Sequence, residues 1–120
     1  MTTTQWIAQL FNAIDAKDTD RFAAQLSQNV HFRFGNAEPV QGREAVREMI
    51  DQFFQAIAAL RHELVEVWEL GETTICRGQV CYTRHDGTTL EVPFANVLKH
   101  GDGAIDQYLI YVDSSQLFAG

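Results

Sequence analysis

Basic residues are scarce in this chain of 120 residues: nine Lys and Arg stand against sixteen Asp and Glu, for a net charge of −7. With no cluster of Lys or Arg to offset that balance, nucleic acid and anionic membrane are excluded as main partners. Long apolar runs are missing too. None approaches the ~20 residues of a membrane span, and Met1 to Gln5 lack the basic start and apolar stretch of a secretory leader. The expectation is a cytoplasmic protein. Cysteine is limited to Cys76 and Cys81. On one strand these lie about 16 Å apart at ~3.3 Å per residue and on opposite faces. A disulfide needs Cα atoms within about 7 Å, so two reduced, structural thiols are expected. The four histidines, His31, His62, His85 and His100, form neither H-x-H nor H-E-x-x-H, and there is no Gly-rich phosphate loop. No metal and no cofactor are expected.

What is present is a globular composition, 46% hydrophobic and 21% charged, and a length that suits one domain over 1–120. Trp6, Ile7, Leu10, Phe11 and Ile14 recur at helical spacing. Asp15-Ala16-Lys17-Asp18 breaks the pattern, and Asp18 can cap a second short helix carrying Phe22, Ala23 and Leu26. Val30, Phe32 and Phe34 alternate with His31 and Arg33 as a short strand. Residues 35–42, with Glu38-Pro39, read as a loop. A third helix begins near Gly42-Arg43-Glu44. Its stripe of Ala45, Val46, Met49, Ile50, Phe53, Phe54, Ile57 and Ala58 is wide enough to predict burial against a concave surface.

After Leu60 the period becomes two. Strands are predicted over 62–70, 74–84, 89–100 and 104–113, joined by Gly71-Glu72, Asp86-Gly87 and Gly101-Asp102-Gly103. Gly78, inside a strand, marks a bulge that helps bend the sheet. Four long antiparallel strands accumulate twist. The predicted class is therefore α+β: a cone-shaped, strongly bent antiparallel sheet with three N-terminal helices enclosing an apolar pocket.

The order of elements resembles the nuclear transport factor 2-like superfamily, and the local match is to its SnoaL-like members. Asn29-Val30-His31-Phe32-Arg33-Phe34 looks like their first strand. Gln41-Gly42-Arg43-Glu44-Ala45-Val46-Arg47-Glu48 looks like the start of their third helix. Val92-Pro93-Phe94-Ala95-Asn96-Val97-Leu98 and Tyr111-Val112-Asp113-Ser114-Ser115-Gln116-Leu117-Phe118 look like their penultimate and final strands. The resemblance covers nearly the whole chain and implies a single SnoaL-like domain. It specifies fold better than chemistry. Ketosteroid isomerase, a relative, uses a general-base Asp with a Tyr and a protonated Asp as oxyanion donors. The matching positions here are Phe32, Phe11 and Asn96, so its base and one donor are missing. Limonene epoxide hydrolase uses an Asp–Arg–Asp set, matched by Asn96, Phe94 and Ile110, none ionisable. The resemblance also implies homodimers through the sheet face. The mixed row of Ile75, Arg77, Gln79 and Cys81 is compatible with that, and Tyr111 and Asp113 fall on the same outer side.

Asn96 shares a strand face with Val92, Phe94 and Leu98. It either hydrogen-bonds to the framework or faces a cavity, where an amide can polarise a ligand oxygen. Tyr108, on a face with Ile110 and Val112, either offers its phenol to the same cavity or is a core ring. Glu66 is either solvent-facing, with Val65 and Val67 inward, or a buried acid able to transfer protons. The candidate catalytic residues are thus Asn96, Tyr108 and Glu66. The candidate ligand wall is Phe11, Phe32, Met49, Phe53, Phe94, Ile110 and Val112. Three functions stay open: an enzyme acting on a small hydrophobic molecule as isomerase, cyclase or hydrolase, a noncatalytic carrier or sensor, and an interaction module whose pocket its own side chains fill. Unless Glu66 is buried, no residue in the pattern supplies a general base.

Overall fold

The computed structural model describes residues 3–101 and 103–118; Met1, Thr2 and Asp102 of the last predicted turn lie outside them. Helix α1 (Thr3–Asp15) and helix α2 (Thr19–Ala23) are followed by strands β1 (Leu26–Phe34) and β2 (Val40–Gln41). Helix α3 (Arg43–Ala56) leads into four long strands: β3 (Ala59–Leu70), β4 (Thr73–Thr83), β5 (Thr89–Gly101) and β6 (Ala104–Val112). One six-stranded sheet forms in the order β2-β1-β6-β5-β4-β3. All neighbours are antiparallel except β1 and β6, which run parallel.

The sheet is curved and unclosed, with β2 and β3 as its two edges. The helices hold its two edges toward one another: α3 packs on β1 and β2, and α1 on β3. The core lies in the concavity, where Ile7, Leu10 and Phe11 of α1 meet Phe32, Val80, Phe94, Leu98 and Tyr108. Burial of such side chains from water is the main stabilising term, roughly 1.5–3 kcal/mol each.

Five sequence expectations need correction. The second helix ends at Ala23, and Leu26, read onto it, opens β1 instead. Residues 35–42 are not wholly loop, because Val40 pairs with Phe32 and Gln41 with His31. The apolar stripe of α3 is narrower than predicted: only Val46, Ile50 and Phe54 of the helix are buried, Met49 and Phe53 are half-buried, and Ala45 is exposed. The helix stops at Ala56, so Ile57, in extended backbone, and Ala58 lie beyond it. The predicted bulge sits opposite Gly78, on β3. Leu64 pairs with Gly78 and Glu66 with Arg77, leaving Val65 as the extra residue. One inserted residue reverses the side-chain parity of a strand. His62 and Leu64 therefore point inward, whereas Glu66, Trp68 and Leu70 point outward with Arg77, Ile75 and Thr73.

The end of α1 is held with unusual care. Lys17 takes the left-handed conformation, φ 53°. The bonds Lys17 N–H to Ile14 O (2.9 Å) and Asp18 N–H to Ala13 O (2.9 Å) close the helix as a Schellman turn. The Lys17 Nζ then donates to Phe54 O (3.1 Å) and Ile57 O (3.0 Å), tying the end of α1 to the end of α3. Asp18 accepts from Arg21 N–H and caps α2, as its position in sequence predicts.

Candidate functional site

Phe94, Asn96 and Leu98 all face the concavity and are buried. So does Tyr108, paired with Leu98 across β5 and β6. Beneath α3 these strands leave a cavity of about 40 Å³. Its wall is apolar, with Phe32, Phe34, Ile50, Phe53, Phe94 and Ile110 among the lining residues, and carries four polar groups: His62, Tyr82, Asn96 and Tyr108. No carboxylate is among them. Such a volume holds a water or two, well short of the ~300 Å³ at which small-molecule sites begin. An organic ligand therefore needs side chains to move. Phe53 is the residue placed to do so: it is half-buried, lines the cavity, and contacts the rings of Phe34 (5.2 Å), Tyr82 (5.9 Å) and the exposed Phe118 (6.5 Å).

Asn96 is 2% exposed, and its Oδ1 has no hydrogen-bond partner. Leaving a buried amide oxygen unsatisfied costs about 1–3 kcal/mol. Burial pushes the Tyr82 phenol up to about 12 and the fully buried Tyr108 phenol well above its ordinary value. Burial likewise raises the Cys76 thiol to about 12, opposed by a hydrogen bond with the Asn96 backbone. Near neutral pH all three keep their protons. They can donate hydrogen bonds but cannot act as bases. Cys76 and Cys81 are both free.

The remaining candidates are placed differently. Glu66 is not a buried acid: it is exposed on the outer face, where its Oε1 accepts from Arg77 Nε at 2.8 Å. The bulge at Val65 turned it outward, and Val65 itself is 53% exposed. Phe11 is buried but stands behind the cavity wall, against Phe94 at 5.8 Å. Met49 and Val112 pack on the core without lining the cavity. Val112 sits at the end of β6, past the cavity. Asp113 terminates that strand, accepting from Ser115 N–H.

The pair that sequence reasoning missed is Asp15 and His62, 47 positions apart. Asp15 is the last residue of α1, and His62 lies on β3, the sheet edge. One carboxylate oxygen accepts from His62 Nδ1 at 2.7 Å and the other from the His62 backbone N–H at 3.0 Å. The edge position explains why that N–H is available. The imidazole lies between the rings of Phe11 (4.8 Å) and Phe94 (5.1 Å), with 11% of the side chain exposed. The available signal was faint: a carboxylate ending an apolar helical stripe, and a His alternating with Leu60 and Leu64 on one strand face.

A SnoaL-like domain family model matches residues 7–108. No curated protein matches the chain. Among solved structures, it is similar to a nuclear transport factor 2-like protein of unknown function from Burkholderia pseudomallei (TM-score 0.86, 19% identity, covering 98% of this chain and 95% of that one). It is also similar to a putative SnoaL-like polyketide cyclase from Jannaschia sp. (0.83, 14%, 95% and 87%). A third is a Mycobacterium tuberculosis epoxide hydrolase of limonene epoxide hydrolase type (0.81, 13%, 95% and 84%). At these identities the likeness is one of fold.

Proposed function

The chain belongs to the SnoaL-like domain family, and from that premise we propose that it binds a small hydrophobic molecule in the cone, where Asn96 orients a ligand oxygen, and acts on it as an isomerase, cyclase or hydrolase. The supporting observation is the Asn96 amide, almost fully buried, with its oxygen unpartnered at the wall of an apolar cavity. Most buried polar groups find a partner, and this orphaned one stands at the cavity wall. A site residue keeps an unsatisfied group for its ligand, at a cost in stability. Similarity in fold to a putative polyketide cyclase and to an epoxide hydrolase supports this reading.

Asn96→Leu tests it. Removing the unsatisfied amide is expected to raise stability in urea by about 1 kcal/mol and to abolish the chemical-shift changes that small oxygen-bearing fragments cause in the cavity residues. A fragment that binds the variant as tightly as the parent would remove Asn96 from the site. If no fragment enters either protein, the reading as an interaction module with a self-filled pocket replaces this one. The absence of a lining carboxylate favours a second reading, a carrier that binds without turnover. Turnover of any bound fragment decides against it.

The partner proposed is a second copy of the chain. Trp68, Ile75, Val97 and Leu109 form one cross-strand row on the outer sheet face, and Tyr111 lies on the same face opposite Ala95. Trp68, Leu70 and Tyr111 are exposed there. An apolar row with polar neighbours suits a homodimer interface. A cytoplasmic location is part of the proposal. No helix among the described residues is long and apolar enough to cross a membrane.

A further inference from the structure

We infer that Asp15 and His62 form a proton-transfer pair serving the cavity, with His62 as its catalytic base, Asp15 as the positioning residue, and a small apolar carbonyl compound carrying a removable proton as the substrate. The inference deepens the proposed function and rests on its reading of Asn96. An ionised carboxylate can only accept hydrogen bonds, so Nδ1 carries a proton, and whenever the ring is neutral its lone pair is on Nε2. Asp15 spends both oxygens on this one residue, at Nδ1 and at the backbone N–H. That fixes the ring about its own strand. Phe11 and Phe94 hold its two sides.

A merely structural pair would not need a ring that lines the cavity. His62 does line it. Of the other ionisable residues on that wall, Tyr82 and Tyr108, neither gives up its proton near neutral pH. His62 is thus the base available among the described lining residues. Asn96 supplies what the reaction needs at the other centre. Its amide lines the cavity with Oδ1 unpartnered, and with the amide turned by half a revolution Nδ2–H takes that place.

The step balances without a co-reactant. The Nε2 lone pair takes a proton from a carbon beside the carbonyl, or conjugated to it. The C–H electron pair becomes a carbon–carbon double bond, and the carbonyl π pair moves onto oxygen, where the Asn96 amide donates to it. The imidazolium returns the proton to the same carbon or to another of the conjugated system, and His62 ends as it began.

The experiment follows hydrogen–deuterium exchange of cyclohex-2-enone in D2O by proton NMR, with the intact protein and its variants. The parent is expected to exchange the ring protons faster than the same protein unfolded in urea. His62→Gln is expected to lower the rate about 100-fold. Asp15→Asn is expected to lower the rate at saturating enone while leaving the half-saturating concentration unchanged, a split that a loss of stability alone does not produce. It decides the matter if His62→Gln does not fold. Equal exchange by the parent and His62→Gln, with the enone still shifting the Ile110 methyl signals, overturns the pair and leaves the binding site standing. No shift and no exchange overturns both.

Discussion

Gly78 shows how one residue governs the inner wall. A Cβ built there would sit 1.9 Å from the Glu63 carbonyl oxygen, closer than any packing contact. The obstacle is backbone, so no side chain can rotate away. Gly78→Ala must push β3 from β4 beside the Val65 bulge. We expect a loss of about 3 kcal/mol or more, within the range for forced backbone strain, read as a lower urea midpoint. A variant as stable as the parent would mean that the strands approach less closely than described. The glycine was legible in sequence as a bulge marker. That the extra residue lies on the partner strand was not, because register is a property of two strands. Asn96 likewise stood out as an amide among apolar neighbours. Its missing partner became visible only when the surrounding strands were in place.

At the scale of elements, the hairpin between β4 and β5 was the clearest sequence signal, and Asp86-Gly87 forms its turn. The Asp86 carboxylate accepts from Thr88 Oγ1 (2.6 Å) and Thr88 N–H (2.9 Å). The Thr88 side-chain bond, followed by the backbone bond, holds its pKa below the ordinary 3.8. A carboxylate whose folded pKa lies below its unfolded value stabilises the turn above the unfolded value. It loses that contribution as pH falls through the folded one. The turn should therefore persist down to about the ordinary Asp range and loosen only in stronger acid. The Thr88 amide proton shift is expected to titrate with a midpoint below 3.8; a midpoint above it would contradict the two hydrogen bonds. Strand existence and order of this kind were readable from period and turn chemistry. The face assignment of β3 beyond residue 64 was not, since a two-residue period cannot reveal where a bulge inverts it.

At the scale of the molecule, the outer sheet face carries the proposal of a dimer. Val97 lies mid-row between Ile75 and Leu109. Val97→Glu places a charge at the centre of the apolar band and leaves the cavity side of β5 untouched. Sedimentation is expected to show a dimer for the parent and a monomer for the variant. A monomeric parent at high micromolar concentration would end the proposal.

Composition and periodicity alone determined the α+β class, the curved meander and its apolar inner face, because those features follow from local spacing and turn residues. The same local pattern set Phe94, Asn96 and Leu98 on one side of a strand. Only the tertiary structure decided the chemistry-bearing contacts. It joined Asp15 to His62, turned Glu66 outward, left Asn96 Oδ1 unpartnered and reduced the pocket to a small cavity behind Phe53. The physical reason is that each of these depends on groups far apart in sequence meeting at hydrogen-bond or van der Waals distance. Such meetings depend on register, edge position and curvature, which no single segment contains.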